Sequence, residues 1–314
     1  MDIDTESSKM YDYKYEYEFI DPKTNKLVKK DKIITIYEND LKYKLHNNID
    51  VLKILNLDDK IDHDTLKYRI EDCLKTQCKT LDLSHLKLKE FPILPQEILS
   101  NIKYLFLSEN FLYRILDLTV FTNLRVLDIC NNKLTNVPLL PERIEEVLIN
   151  NNEIIDIDAL IKCDYLKRLD CSNNKITNIP IIDSLEILVC DDNKLTKLPP
   201  LNIKKLSCCN NQLRELPEFK LIEVIECDDN NIQAIQKYNN LKELYCSNNN
   251  ISVLDNINKI NILHCCDNKI TKIDYYENLK ELLCDYNPNL DLCSYYTIEY
   301  QEVYKNKYIL LYFK

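Results

Sequence analysis

Fourteen cysteines in a chain of 314 residues could serve a metal, a disulfide framework or a nucleophile, and their spacing decides among these. Seven of them, Cys171, Cys190, Cys208, Cys227, Cys246, Cys265 and Cys284, recur at intervals of 19, 18, 19, 19, 19 and 19 residues. Each stands in the same phrase, for example Leu166-Lys-Arg-Leu169-Asp-Cys171-Ser-Asn-Asn174-Lys-Ile176. A structural zinc needs four ligands converging on a tetrahedron. A column of thiols on successive identical turns forms a line instead, and no column of His accompanies it. There is no Cys-x-x-Cys, only the doublets Cys208-Cys209 and Cys265-Cys266, and neighbours on a strand face opposite sides. A catalytic thiol needs a base held close by. His264 stands two residues before Cys266, and one such pair arises readily by coincidence. The column therefore reads as buried free thiols acting as small hydrophobes. No metal, no cofactor and no catalysis are expected.

The carboxylates Asp191-Asp192, Asp228-Asp229, Asp267 and Asp285 raise the question of calcium. Calcium loops of the EF-hand type turn on a glycine, and the chain has no glycine. The same lack removes any glycine-rich phosphate loop. Polar residues hydrogen-bonding locally at strand ends account for these Asp. A net charge of −10 argues against nucleic acid as the main partner. The N-terminus is polar and acidic, without the basic-then-apolar order of a signal peptide. No apolar run approaches the ~20 residues that span a bilayer; the longest is Tyr308–Phe313. The expectation is a soluble cytoplasmic protein, away from membranes, whose thiols stay reduced and build no disulfide framework.

The elements that hold these residues follow from the period. The repeating unit is Φ-x-x-Φ-x-Φ-x-x-N-x-Φ-x-x-Φ, where Φ is apolar. Its first positions are Cys78, Ile102, Leu124, Ile144, Leu166, Leu185, Ile203, Ile222, Leu241, Ile260 and Leu279. Ten of the eleven ninth positions are Asn, from Asn110 to Asn287, and the exception is Leu86 in the first repeat. This phrase resembles the leucine-rich-repeat motif L-x-x-L-x-L-x-x-N-x-L over residues 78–292. The resemblance implies an α/β repeat solenoid with a curved parallel sheet on its concave face. The physics agrees: apolar fourth and sixth positions point inward from a short strand, and in-register stacking sets identical positions ~4.8 Å apart. A stacked Asn can satisfy backbone groups of adjoining turns. Pro92, Pro138, Pro180, Pro199 and Pro217 make the return limbs extended or 3₁₀, and Asp158–Cys163 is the candidate helical turn. The Cys column is also similar to that of some bacterial internalins. The AT-rich bias in composition resembles leucine-rich-repeat proteins of amoeba-infecting giant viruses, which implies host cytoplasm or a virion as location.

Three regions are expected: an N-terminal cap over 1–77, eleven repeats over 78–292, and a C-terminal cap over 293–314. In the first, the alternation of Tyr11, Tyr13, Tyr15, Tyr17 and Phe19 predicts a strand, with a second over Lys32–Tyr37. Residues 50–57 are read as a short helix. Leu66, Ile70, Cys73 and Leu74 lie on one face of a helix over 64–76, suited to covering the open end of a solenoid. A strand over Lys307–Phe313 would cover the other end. The third and fifth positions of the repeats tile the concave face. Tyr104, Phe106, Asp128, Leu148, Asp170, Val189, Glu226, Tyr245 and His264 are the candidate contact residues there. Apolar side chains interspersed with carboxylates point to a non-catalytic scaffold that binds a protein, with a basic partner favoured by charge. A structural or virion-associated role is the alternative, and a thiol enzyme is the more distant one. The sequence sets no oligomeric state.

Overall fold

The computed structural model describes residues 10–20, 27–37, 63–115, 117–254, 257–292 and 310–312. The chain divides into two compact units, Met1–Asp59 and Lys60–Lys314. The first holds an antiparallel pair, Met10–Ile20 with Leu27–Tyr37, in register from Met10↔Tyr37 to Ile20↔Leu27. The second strand begins five residues before the Lys32 expected of it. The helix considered over 50–57 lies outside the described residues.

The second unit is built on one sheet of 12 strands. Eleven of them stack in parallel, from Thr80–Asp82 to Glu281–Leu283, each three residues long and one per repeat. Identical positions face each other, as in Leu169↔Leu188 and Leu244↔Leu263. In every one of these strands the middle residue is buried and its two neighbours face outward. The sixth position, one step beyond the strand, is buried as well: Leu83, Leu107, Ile129 and Ile149 first, then the seven cysteines of the column. Leu310–Tyr312 closes the stack, pairing antiparallel with Glu281–Leu283. Cys293 and the rest of the expected C-terminal cap lie outside the described residues.

Each ninth-position Asn works as a spacer between turns. The Oδ1 of Asn174 accepts the N–H of Ile154 at 2.9 Å. Its Nδ2 donates to the Ile149 carbonyl in the turn before, at 3.0 Å, and to the Cys171 and Ser172 carbonyls of its own turn. The pattern holds from Asn110 to Asn287. In the first repeat, where Leu86 replaces Asn, the Leu86 N–H is itself taken up by Asn110 Oδ1 at 3.1 Å. The residue just before each ninth position has φ between 49° and 60° in all eleven turns. Glycine would carry that conformation at least cost. In a chain without it, Asn and Asp take eight of the eleven places, from Asn131 to Asp267, because a short polar side chain tolerates the left-handed region. The motif reading did not assign these residues a role, although the Asn-Asn and Asp-Asn doublets are its visible sign.

The return limbs differ from repeat to repeat. Asp158–Lys162 forms the expected 3₁₀ turn. The longest repeat adds a four-residue α-helix, Gln96–Leu99, which the expectation of extended limbs did not include; Pro95 stands at its N-cap. The repeats beginning at Ile222, Leu241 and Ile260 carry no proline, so their limbs keep every N–H donor. Three of the limb strands lie there: Ala234–Ile235 pairs in parallel with Val253–Leu254, and Lys272–Ile273 pairs with Asp291–Leu292 of the next repeat, beyond Pro288.

At the N-terminal end of the stack lies the helix His63–Thr76, with Leu66 and Cys73 buried. Its Arg69 donates from Nη1 to the carbonyls of Asp82 and Ser84, at 3.1 and 2.9 Å, in the first turn. Cys73 on this helix is joined by a disulfide to Cys78, five residues on. This corrects the expectation that no disulfide forms. The tight turn at Gln77, with φ of 48°, brings the two Cα atoms to 5.0 Å, within the range a disulfide bridges.

Candidate interaction face

The cysteine column is closed to chemistry. Cys171, Cys190, Cys208, Cys227, Cys246 and Cys265 are fully buried, and Cys284 nearly so. Burial pushes the Cys190, Cys208, Cys227, Cys246 and Cys265 thiols well above the ordinary range. The thiolate is the reactive form, and burial away from any cation disfavours it. A second set of thiols, Cys130, Cys209 and Cys266 at the seventh position, is half-buried on the outward side. Burial and the adjacent Asp128 push Cys130 up to about 12. Burial, with Asp191 and Asp228, pushes Cys209 up to about 12. Burial also raises Cys266. Among the described residues no hydrogen bond joins His264 to Cys266; the His264 Nε2 lies 2.9 Å from Glu281 Oε1. Among the described residues no three His, Cys, Asp or Glu groups converge as a metal site. Nothing here indicates catalysis.

All nine candidate contact residues stand on the outward side of the parallel sheet. Tyr104 and Glu226 are exposed; Phe106, Asp128, Leu148, Asp170, Val189, Tyr245 and His264 are half-buried between neighbouring strands. The strand register places Phe106 next to Asp128, Asp128 next to Leu148, and Leu148 next to Asp170. It likewise places Glu226 next to Tyr245 and Tyr245 next to His264. The Tyr245 and His264 rings meet edge to face, with centroids 4.8 Å apart. Arg168 pairs with Glu146 across adjacent strands at 3.1 Å.

Sequence reasoning did not single out the seventh-position carboxylates as part of this face. Asp191 Oδ1 accepts the Cys209 N–H at 2.6 Å and the Ser207 hydroxyl at 2.8 Å. Asp228 Oδ1 accepts the Ser247 N–H at 2.5 Å. Both reach from one turn to the next. Burial raises Asp191 above the usual carboxylate range, against the opposing hydrogen bonds of Ser207 and Cys209. Burial likewise raises Asp228, and the Asp229 charge adds to it. Burial and then the Asp191 charge raise Glu226.

Among protein families, the leucine-rich-repeat model matches residues 123–142. None of the curated proteins matches the chain. Solved structures do. YopM from Yersinia enterocolitica WA-314 is 21% identical, over 81% of this chain and 70% of that one, with a TM-score of 0.50. The functional domain of InlJ from Listeria monocytogenes, which includes a cysteine ladder, is 21% identical over 74% of this chain, with a TM-score of 0.58; the match spans 61% of the InlJ chain. YopM from Yersinia pestis, a leucine-rich effector protein, is 21% identical over 80% of this chain and 93% of that one, with a TM-score of 0.55. The fold is a leucine-rich-repeat solenoid. The internalin likeness of the cysteine column has its counterpart in the InlJ ladder.

Proposed function

We propose that this chain is a non-catalytic scaffold that binds a protein partner on the outward face of its parallel sheet. One observation carries the reading: eleven strands in register present their third and fifth positions on one continuous surface, where apolar residues such as Tyr104, Phe106 and Leu148 alternate with carboxylates. An exposed apolar field edged by charge marks an interaction surface, and solenoids present extended surfaces of this kind. The acidic excess favours a basic partner and speeds its encounter.

The test is affinity capture from the native cell with tagged full-length chain, run beside a Phe106→Asp/Leu148→Asp variant whose circular dichroism matches wild type. Loss of specific partners from the variant is the expected result. An identical set of captured proteins overturns the reading.

A further inference from the structure

The chain treats its carboxylates in two ways. Along the edge where the strands begin, acids are paired within the chain: Glu186 with Lys204 at 2.7 Å, Glu223 with Lys242 at 2.7 Å, and Glu145 with Arg125 at 3.3 Å. On the C-terminal half of the outward face the pairing with Lys and Arg stops, and His264 with Glu281 at 2.9 Å is the pair that remains among the described residues. Among the described residues, no Lys or Arg forms an ion pair with Asp191, Glu226, Asp228 or Glu243. Ser207 Oγ lies 2.8 Å from one Asp191 oxygen and 3.4 Å from Glu226 Oε2, so a single hydroxyl proton stands between two carboxylates. Lys205 and His264 share this face, and the His264 ring is engaged with Glu281. Like charges held this close repel and lower stability. A chain that neutralises its edge and leaves its face charged retains a surface suited to an incoming cation.

The same half of the face carries what a cationic side chain needs besides charge. Tyr245 lies in register between Glu226 and His264, and its hydroxyl is 3.5 Å from Glu243 Oε2. A ring beside carboxylates attracts a guanidinium or ammonium both by its quadrupole and by the charge around it. Val189, Val224 and Ile262 stand half-buried among these acids and offer apolar contact for the methylene stems of Lys and Arg. Resting on the scaffold reading above, we infer that the face from Val189 to His264 docks a Lys- or Arg-bearing segment of the partner, one cation seated against Tyr245 between Glu226 and Glu243. A second copy of this chain, carrying the same −10, is repelled from such a surface, as is a phosphate backbone.

Fluorescently labelled hexa-arginine, titrated into the full-length chain at low salt and followed by anisotropy, tests the assignment. The face variant Asp191→Asn/Glu226→Gln/Asp228→Asn keeps the acceptors for the Cys209 and Ser247 N–H groups. It is expected to weaken binding about tenfold or more. The edge variant Glu145→Gln/Glu186→Gln/Glu223→Gln changes net charge equally and is expected to stay within about twofold of wild type. Tyr245→Leu is expected to weaken hexa-arginine more than hexa-lysine, since a planar guanidinium stacks on a ring. Equal losses in the face and edge variants, or no binding to wild type, overturn the assignment. Should the triple variant unfold, Glu226→Gln alone, which touches no backbone N–H, carries the test. A partner captured through Phe106 and Leu148 but indifferent to the face variant would leave the scaffold reading standing and remove this one.

Discussion

A thiol that points inward from a stacked strand has its fate set by its neighbours. Cys227 is fully buried, in the sixth-position column that earlier repeats fill with Leu or Ile. The change of residue coincides with a fall in repeat length from 20–24 residues to 18–19. A shorter limb leaves a thinner core, and close-packed interiors resist added volume. Cys227→Leu is therefore expected to cost ~1–3 kcal/mol by denaturant titration; stability equal to wild type would remove the packing explanation. Asn174→Leu strands the Ile154 N–H and takes one of two donors from each of the Ile149, Cys171 and Ser172 carbonyls, at a cost of ~1–3 kcal/mol. A thiol-directed electrophile applied to native protein should label Cys130, Cys209 and Cys266 slowly and the column hardly at all, read by mass spectrometry. Fast labelling of Cys266 would revive a reactive thiol. The roles of the column and of the Asn ladder were legible because each recurs at the repeat period. The left-handed residues beside the Asn were overlooked because no glycine flagged them.

The strands were readable as elements for the same reason, and the ends were not. A repeat announces itself by recurrence, whereas a cap occurs once and is held by contacts specific to it. The helix His63–Thr76 was visible from the spacing of its apolar residues, yet its polar anchor was invisible. Nothing in the local sequence says that Arg69 reaches the carbonyls of Asp82 and Ser84, 13 and 15 residues away. Those carbonyls lie in the first turn, which has no preceding turn to serve them. Arg69→Met keeps the helix propensity and much of the stem while removing the donor. It is expected to lower stability by about 1–2 kcal/mol, with hydrogen exchange accelerated first in Thr80–Asp82. Uniform acceleration across all eleven strands would mean that Arg69 does not act through the first turn. The disulfide between Cys73 and Cys78 escaped for a related reason: Cys73 fitted a helix face and Cys78 an apolar slot, and only the Gln77 turn joins them.

At the scale of the whole repeat unit, charge is partitioned, and the partition has a pH signature. Asp191, Glu226 and Asp228 have their folded pKa raised above the ordinary values of 3.8 for Asp and 4.5 for Glu, chiefly by burial. In the window above those values the folded chain holds protons that the unfolded chain has released. Stability therefore falls as pH rises through the window, and the deficit is complete above the folded pKa. Glu186 and Glu223 are displaced the opposite way by Lys204 and Lys242. Their contribution is lost as pH falls through their lowered pKa, but they are exposed, and salt screens them. The face variant Asp191→Asn/Glu226→Gln/Asp228→Asn should consequently melt above wild type at neutral pH. The gap should narrow as pH approaches about 4, where wild-type carboxyls take up protons. It should also shrink in high salt at neutral pH to the extent that mutual repulsion, as opposed to burial, sustains it. Thermal melts of both proteins across this range decide the matter: a gap that stays constant with pH would show that these carboxylates do not titrate as a strained group.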